Sequence, residues 1–237
     1  MLALRASGDY WVLGPLGRAD DLSGAADDVD VLVSATPDAE VAKVAAAVTP
    51  REDTVVLHLS GSLPVDVLAP HPRRGSVHPL VPLPTPAVGS RRLRSGTTFT
   101  VAGDPEGVRL VGALGGRVLT VDDGDRVAYH AAATIAANHV VALLGQVERV
   151  AATAGLPFEV FGDLVRAAVD DAVALGPGAA LTGPAARGDW ETVTRHRDVL
   201  GAMEGGWTEV VAYDACVSLA HRLATTTTAA DRLEVPV

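Results

Sequence analysis

The sequence predicts an α/β domain built on a largely parallel sheet, followed by an all-α domain. Three observations carry that expectation. Apolar runs of strand length alternate with helix-length segments from Val29 to Val121, and runs as apolar as VDVLVSA and TVVLHLS belong to strands buried on both faces. From about Asp122 the periodicity becomes entirely helical. The stretch Arg126 to Arg149, RVAYHAAATIAANHVVALLGQVER, is apolar for far longer than a strand allows. The expected domains are 1–122 and 123–226, with a tail at 227–237, TTTAADRLEVPV less its first residue, that lacks a clear apolar face and is expected to be disordered.

In order, MLALRASG reads as the end of a helix stopped by Gly8, and YWVL at 10–13 as a short strand. VDVLVSA at 29–35 is a buried strand ended by Thr36, Pro37 and Asp38, and Asp38 is placed to cap a helix running through Val48. TVVLHLS at 54–60 is a second strand, followed by Gly61 and a short helix near Val65 to Leu68. Ser76 to His78 is a third strand, and the proline-rich HPLVPLPTP after it can be neither helix nor central strand. Thr97 to Ala102, a helix at Pro105 to Leu114 and Arg117 to Val121 complete the α/β pattern. Ligands of such sheets bind at the carboxyl ends of the strands, here SATPD, HLSGS and HPL. The helical half continues with Glu159 to Leu175, Asp189 to Met203 and Trp207 to Thr225.

Arg126 to Arg149 reads as one long, mostly buried helix around which the chain is organised. At about 100° per residue, His130, Thr134 and Asn138 share one stripe, and polar groups kept aligned on an apolar helix form either a satisfied core network or the wall of a site. His139 falls on the opposite side from His130.

The chain has 237 residues, enough for two domains, with net charge −10 and 48% hydrophobic residues. Such an acidic surface repels nucleic acid and anionic lipid. No uninterrupted apolar run approaches the roughly 20 residues of a membrane span, so a soluble protein is expected. A single cysteine, Cys216, and no basic region followed by an apolar segment at the N-terminus point to the cytoplasm. Cys216 itself reads as a small buried hydrophobe, and no Cys/His spacing suggests a metal site. Lys43 is the only lysine among 19 basic residues, which leaves little room for Schiff-base or lysine-acid chemistry.

VVLHLSGSL, GSVHPL, AYHAAATIAANHV and LTGPAARGDWETVTRH occur in that order. In the last of these Pro184 starts a turn, Gly188 breaks it and Asp189 caps the next helix. Together they resemble bacterial proteins that combine a Rossmann-like domain with a helical DUF2520 domain, and the resemblance covers nearly the whole chain. It implies an N-terminal dinucleotide-binding domain, a C-terminal domain similar to that of 6-phosphogluconate dehydrogenase and related reductases, and NAD(P)-dependent oxidoreduction of a small keto or hydroxy acid. The matching positions are Thr36, Pro37, Asp38, Ser60, Gly61, His78, Pro79, Tyr129, His130, Asn138, Thr182, Gly183, Pro184, Arg187, Gly188 and Asp189.

The sequence departs from the family's pattern in several places. The glycine-rich dinucleotide loop is absent, because Met1 begins about where the helix after it is already under way. The expectation is a sheet missing its first strand, an upstream start, and weak NADPH binding by this chain. The basic residue that relatives carry before the YH pair is Arg126 here, and Asp171 stands where the family tends to have Asn.

The functional expectation is a reductase with NADP, or NAD, across the strand ends and the substrate between the domains. His130 would donate the proton and Asn138 orient the substrate, with Ser60, Gly61, His78, Thr134, Thr182 and Arg187 lining the substrate side. Thr36, Pro37, Asp38 and Arg18, the last placed for a 2′-phosphate, would contact the cofactor. The competing expectation is a non-catalytic nucleotide- or metabolite-binding module. The expected partners are a small-molecule substrate and a second copy in a homodimer, with no nucleic acid and no membrane.

Overall fold

The computed structural model describes residues 1–233 in backbone and 1–226 in side chains, and the end of the tail expected to be disordered lies outside the described residues. The chain divides into two compact units, Met1–Val140 and a second beginning at Val141.

The first unit is a five-stranded sheet in the order β1-β2-β3-β4-β5, formed by Val31–Ser34, Val55–His58, Arg74–Pro79, Thr98–Gly103 and Arg117–Thr120. β1/β2, β2/β3 and β4/β5 are parallel and β3/β4 is antiparallel, so the parallel-dominant sheet predicted from the apolar runs is present. Its helices are α1 (Leu2–Ser7), α2 (Asp38–Ala47), α3 (Pro86–Leu93), α4 (Glu106–Ala113) and α5 (Arg126–Thr134), with a 3₁₀ turn at Val65–Leu68. Alternation along β2 sends Val55 and Leu57 into a core shared with Val77, Phe99 and Val111, and sends Val56 into a second with Val41, Ala45 and Leu68. Both faces are therefore dry near β2, which is why TVVLHLS is apolar without a two-residue period.

A π-helical turn at Ile135–His139 follows α5 and leads into α6 (Val140–Thr153). The second unit then contains α7 (Gly162–Leu175), the single turns α8 (Pro177–Ala180) and α9 (Pro184–Arg187), α10 (Trp190–Gly201) and α11 (Gly206–Leu233). Ala151, Ala185, Val193 and Leu200 are buried in it, and Glu209 is held by Arg149 Nε at 2.6 Å. Gly188 adopts the left-handed conformation at φ 71° and Asp189 accepts from the Thr192 N–H at 3.1 Å, as the turn read in LTGPAARGDW requires.

Several expectations are corrected. YWVL forms no strand and Trp11 is 92% exposed, because no neighbouring strand pairs with it among the described residues. Pro86–Leu93 is a helix capped by the Thr85 hydroxyl, a start signal hidden behind the prolines before it. Asp38 is the first residue of α2 rather than its cap, which is Pro37. Cys216 is half-buried rather than buried. The organising helix is largely exposed. Arg126 is the only buried residue of α5, and the π turn has none. The helical run Asp123–Thr153 has a mean hydropathy of 1.4 and is long and apolar enough by length and composition to cross a membrane, although charged residues interrupt it.

Candidate active site

The carboxyl ends of β2 and β3 and the first turns of α5 meet at Gly61. A Cβ built on Gly61 would lie 2.8 Å from His130 Cδ2 and 2.9 Å from His78 Cε1, so both imidazoles rest against its bare Cα. The two rings meet edge to face with centroids 6.0 Å apart. Tyr129 Oη lies 2.7 Å from His78 Nδ1. A phenol is the better donor and a neutral imidazole nitrogen the better acceptor, so we assign the Tyr129 O–H as donor, which puts the ring hydrogen of His78 on Nε2. Across the β3/β4 ladder His78 is paired with Thr100, whose buried hydroxyl faces the Tyr129 phenol.

Beneath this pair lies a buried polar layer. His58 is completely buried at the end of β2; its Nδ1 accepts the Ser60 N–H at 3.2 Å, and the Pro64 backbone lies on its ring as a further polar neighbour. Arg126 is 1% exposed, and its guanidinium donates from Nε to Asp123 Oδ1 and from Nη2 to Ser76 Oγ, both at 2.6 Å. Burial holds the His58 and His78 imidazoles below the usual histidine range, His130 adds to the effect at His78, and Arg126 lowers both further against the opposing pull of Asp38. Burial raises the Tyr129 phenol. At neutral pH the cluster therefore presents neutral imidazoles at His58 and His78 and a protonated phenol.

Ser60 Oγ donates to Asp38 Oδ2 at 2.7 Å and Ser62 Oγ donates to the same oxygen at 2.9 Å, which ties the loop after β2 to the start of α2. Of the residues expected at the site, the structure thus gathers Ser60, Gly61, His78 and His130, with Asp38 at the edge. Thr134 is half-buried and Asn138 exposed, and the alignment drawn at 100° per residue does not run through the π turn, whose i→i+5 bonding adds about one residue to the helical turn. Thr36 pairs with Ser34 at 3.1 Å between hydroxyls, and Arg18 lies exposed in a turn. In the second unit Thr182 and Arg187 are both exposed, and no ion pair joins Arg187 to Asp171 among the described residues. His58 and Ser76 were missed as polar members of the cluster. The signal for His58 was present: an imidazole inside an otherwise apolar strand, directly before a Ser-Gly turn.

A shallow groove of about 490 Å³ elsewhere on the first unit is lined by Asp9, Tyr10, Glu106, Arg109, Gly112 and Ala113 and shares no residue with this cluster. Its chemistry is already satisfied internally, since Glu106 accepts from Tyr10 at 2.8 Å and from Arg109 at 2.6 Å.

Comparison with known proteins agrees with this architecture. A Rossmann-like domain matches residues 18–84, and DUF2520, a domain of unknown function, matches residues 97–218, so its span begins just before β4 of the α/β unit. Among solved structures, protein TM1727 from Thermotoga maritima is 26% identical with a TM-score of 0.68, over 84% of this chain and 78% of that one. A Bacteroides fragilis protein, BF3122, provisionally described as an NADP oxidoreductase, is 21% identical with a TM-score of 0.70, over 85% and 79%. Pyrroline carboxylate reductase from Plasmodium falciparum, solved with NADP bound, shares the fold at 12% identity and a TM-score of 0.57, over 94% and 92%. Curated proteins give no match. With its Rossmann-like sheet followed by helices and more than half its length matched, the chain belongs to the DUF2520 family.

Proposed function

We propose that this protein is an NAD(P)-dependent oxidoreductase that reduces a small keto acid or similar carbonyl compound, with the carbonyl oxygen held at the Gly61 cluster. The observation that carries the reading is the convergence of His78, Tyr129 and His130 on a bare glycine at the carboxyl ends of parallel strands, where ligands of such sheets bind. Reduction of a carbonyl needs a proton at the oxygen. His130 is half-buried, within reach of Gly61, and is the proton donor in this reading; His78, fixed by Tyr129, presents a second N–H, and Asn138 orients the substrate. In the second unit Arg187, whose planar fork suits a carboxylate, and Thr182 in the same segment are both exposed to an anionic ligand. A second copy covers the exposed apolar faces of α6 and α7, where Val141, Leu164 and Val173 face solvent, and the active form is a cytoplasmic homodimer.

The dinucleotide fits these residues only in part. Among the described residues no glycine-rich turn joins a strand to a helix. α2 opens with Pro37, which has no N–H, and carries Asp38 and Glu40 in its first turn. Carboxylates at a helix N-terminus repel a pyrophosphate, and Asp38 is already engaged by Ser60 and Ser62. Thr36, Pro37 and Asp38 are therefore a poor pyrophosphate cradle. The same observation favours a second reading, a metabolite-binding module without turnover. A titration with NADPH and NADH, followed by a panel of small keto acids, separates the two: the reductase oxidises the reduced nucleotide in the presence of one of the acids, and the module binds without turnover.

A further inference from the structure

We propose that Arg126 is a positioning residue, whose buried guanidinium pins the first turn of α5 to β3 and thereby sets the imidazoles of His78 and His130 against Gly61. The inference rests on the reading of that cluster as the reacting site. Arg126 is an unusual residue for its place. A cation at a helix N-terminus opposes the helix dipole, and a fully buried one also loses its hydration. Asp123, its ion-pair partner, is half exposed, so the pairing alone does not explain why the guanidinium is turned inward.

Its second contact explains it. Nη2 reaches Ser76 on β3, two residues before His78 on the same strand, while Tyr129, three residues after Arg126 on α5, reaches His78 itself. These two cross-links join α5 to β3 at adjacent levels, and α5 can place His130 beside Gly61 only in the register they set. Arginine cannot donate a proton in the physiological range, so it has no acid role of its own. It does supply a fixed positive charge. The charged and titratable groups facing His78 are His130, Tyr129 and Arg126 from α5 and Asp38 from α2, and those facing His58 are Arg126, Asp38 and Asp123. Removing the guanidinium takes away one of the charges that oppose protonation of the two imidazoles, while burial still disfavours it at both and His130 at His78, so their charged forms become easier to reach.

The test is an NMR titration of the histidine ring signals in wild type, Arg126→Met, Arg126→Lys and Ser76→Ala, which needs no substrate. Arg126→Met is expected to move the His58 and His78 midpoints upward. Arg126→Lys is expected to leave them near wild type, while losing the fork that holds Ser76 and Asp123 together and with it the His78 to Tyr129 contact. Ser76→Ala should loosen that contact with the charge retained. An unchanged His78 midpoint in Arg126→Met, or an intact His78 to Tyr129 contact in both Arg126→Lys and Ser76→Ala, overturns the proposal. If Arg126→Met does not fold, the contact in the other two variants decides. Absence of turnover by the wild type would refute the reductase reading and leave the titration result standing, so the two failures are distinguishable.

Discussion

At the residue scale the cluster depends on what Gly61 lacks. Gly61→Ala places a methyl group under 3 Å from both imidazoles, one of which is fixed by Tyr129, so the rings must separate. A loss of about 1–3 kcal/mol in chemical denaturation is expected, with displaced His78 and His130 ring signals. Tyr129→Phe removes one hydrogen bond and should cost about 1 kcal/mol. The buried histidines also set a pH dependence. Burial holds His58 and His78 below the ordinary histidine value of 6.5 in the folded protein, so as pH falls through that value the unfolded chain takes up protons that the folded chain refuses. Their contribution is complete above pH 6.5 and is lost below it, toward the depressed folded values. The carboxylates lowered by their partners, such as Asp104 beside Arg73 and Glu209 beside Arg149, lose their contribution only at lower pH. Melting temperature should therefore begin to fall just below pH 6.5, and a His58→Phe, His78→Phe double variant should lack that early decline; an identical decline in the variant would contradict this assignment.

At the element scale, burial on both faces made β2 legible as a continuous apolar run, whereas β5, exposed along its length, was placed by its alternation with α4, and the apolar YWVL was read as a strand that does not form. The polar ends of those strands were legible as well: SATPD, HLSGS and HPL all lie at strand carboxyl ends. What the sequence hid was register and cover. A one-residue π insertion leaves no mark on an alanine-rich helix, so the His130, Thr134 and Asn138 stripe was drawn as if it were continuous. Arg126 was legible as a basic residue ahead of the YH pair, but its inward turn depends on Ser76, 50 positions away. The turn before α10 was readable in full because its signals are local. Asp189→Ala is expected to cost about 1 kcal/mol through loss of the cap, measured by denaturation, whereas Arg187→Ala, exposed and without an ion pair among the described residues, should leave stability unchanged.

At the scale of the whole molecule, the second unit buries few large apolar side chains among its described residues, while Leu164, Val169, Val173 and Leu175 of α7 all remain exposed. A helical unit with so much uncovered apolar surface calls for a partner, and the proposed homodimer supplies one. Leu164→Glu with Val173→Glu is expected to halve the mass seen by sedimentation; an unchanged mass would place the interface elsewhere or remove it. The central claim is that the cluster at Gly61 protonates a carbonyl during nucleotide-dependent reduction. Its most direct test is oxidation of NADPH or NADH by wild type and by His130→Ala over a panel of small keto acids, with nucleotide affinity measured on the same samples. The expected result is turnover of at least one acid by the wild type, with kcat in His130→Ala reduced roughly 100-fold or more at nearly unchanged nucleotide affinity. Full turnover in His130→Ala, or tight nucleotide binding by the wild type with no turnover of any acid, would contradict it.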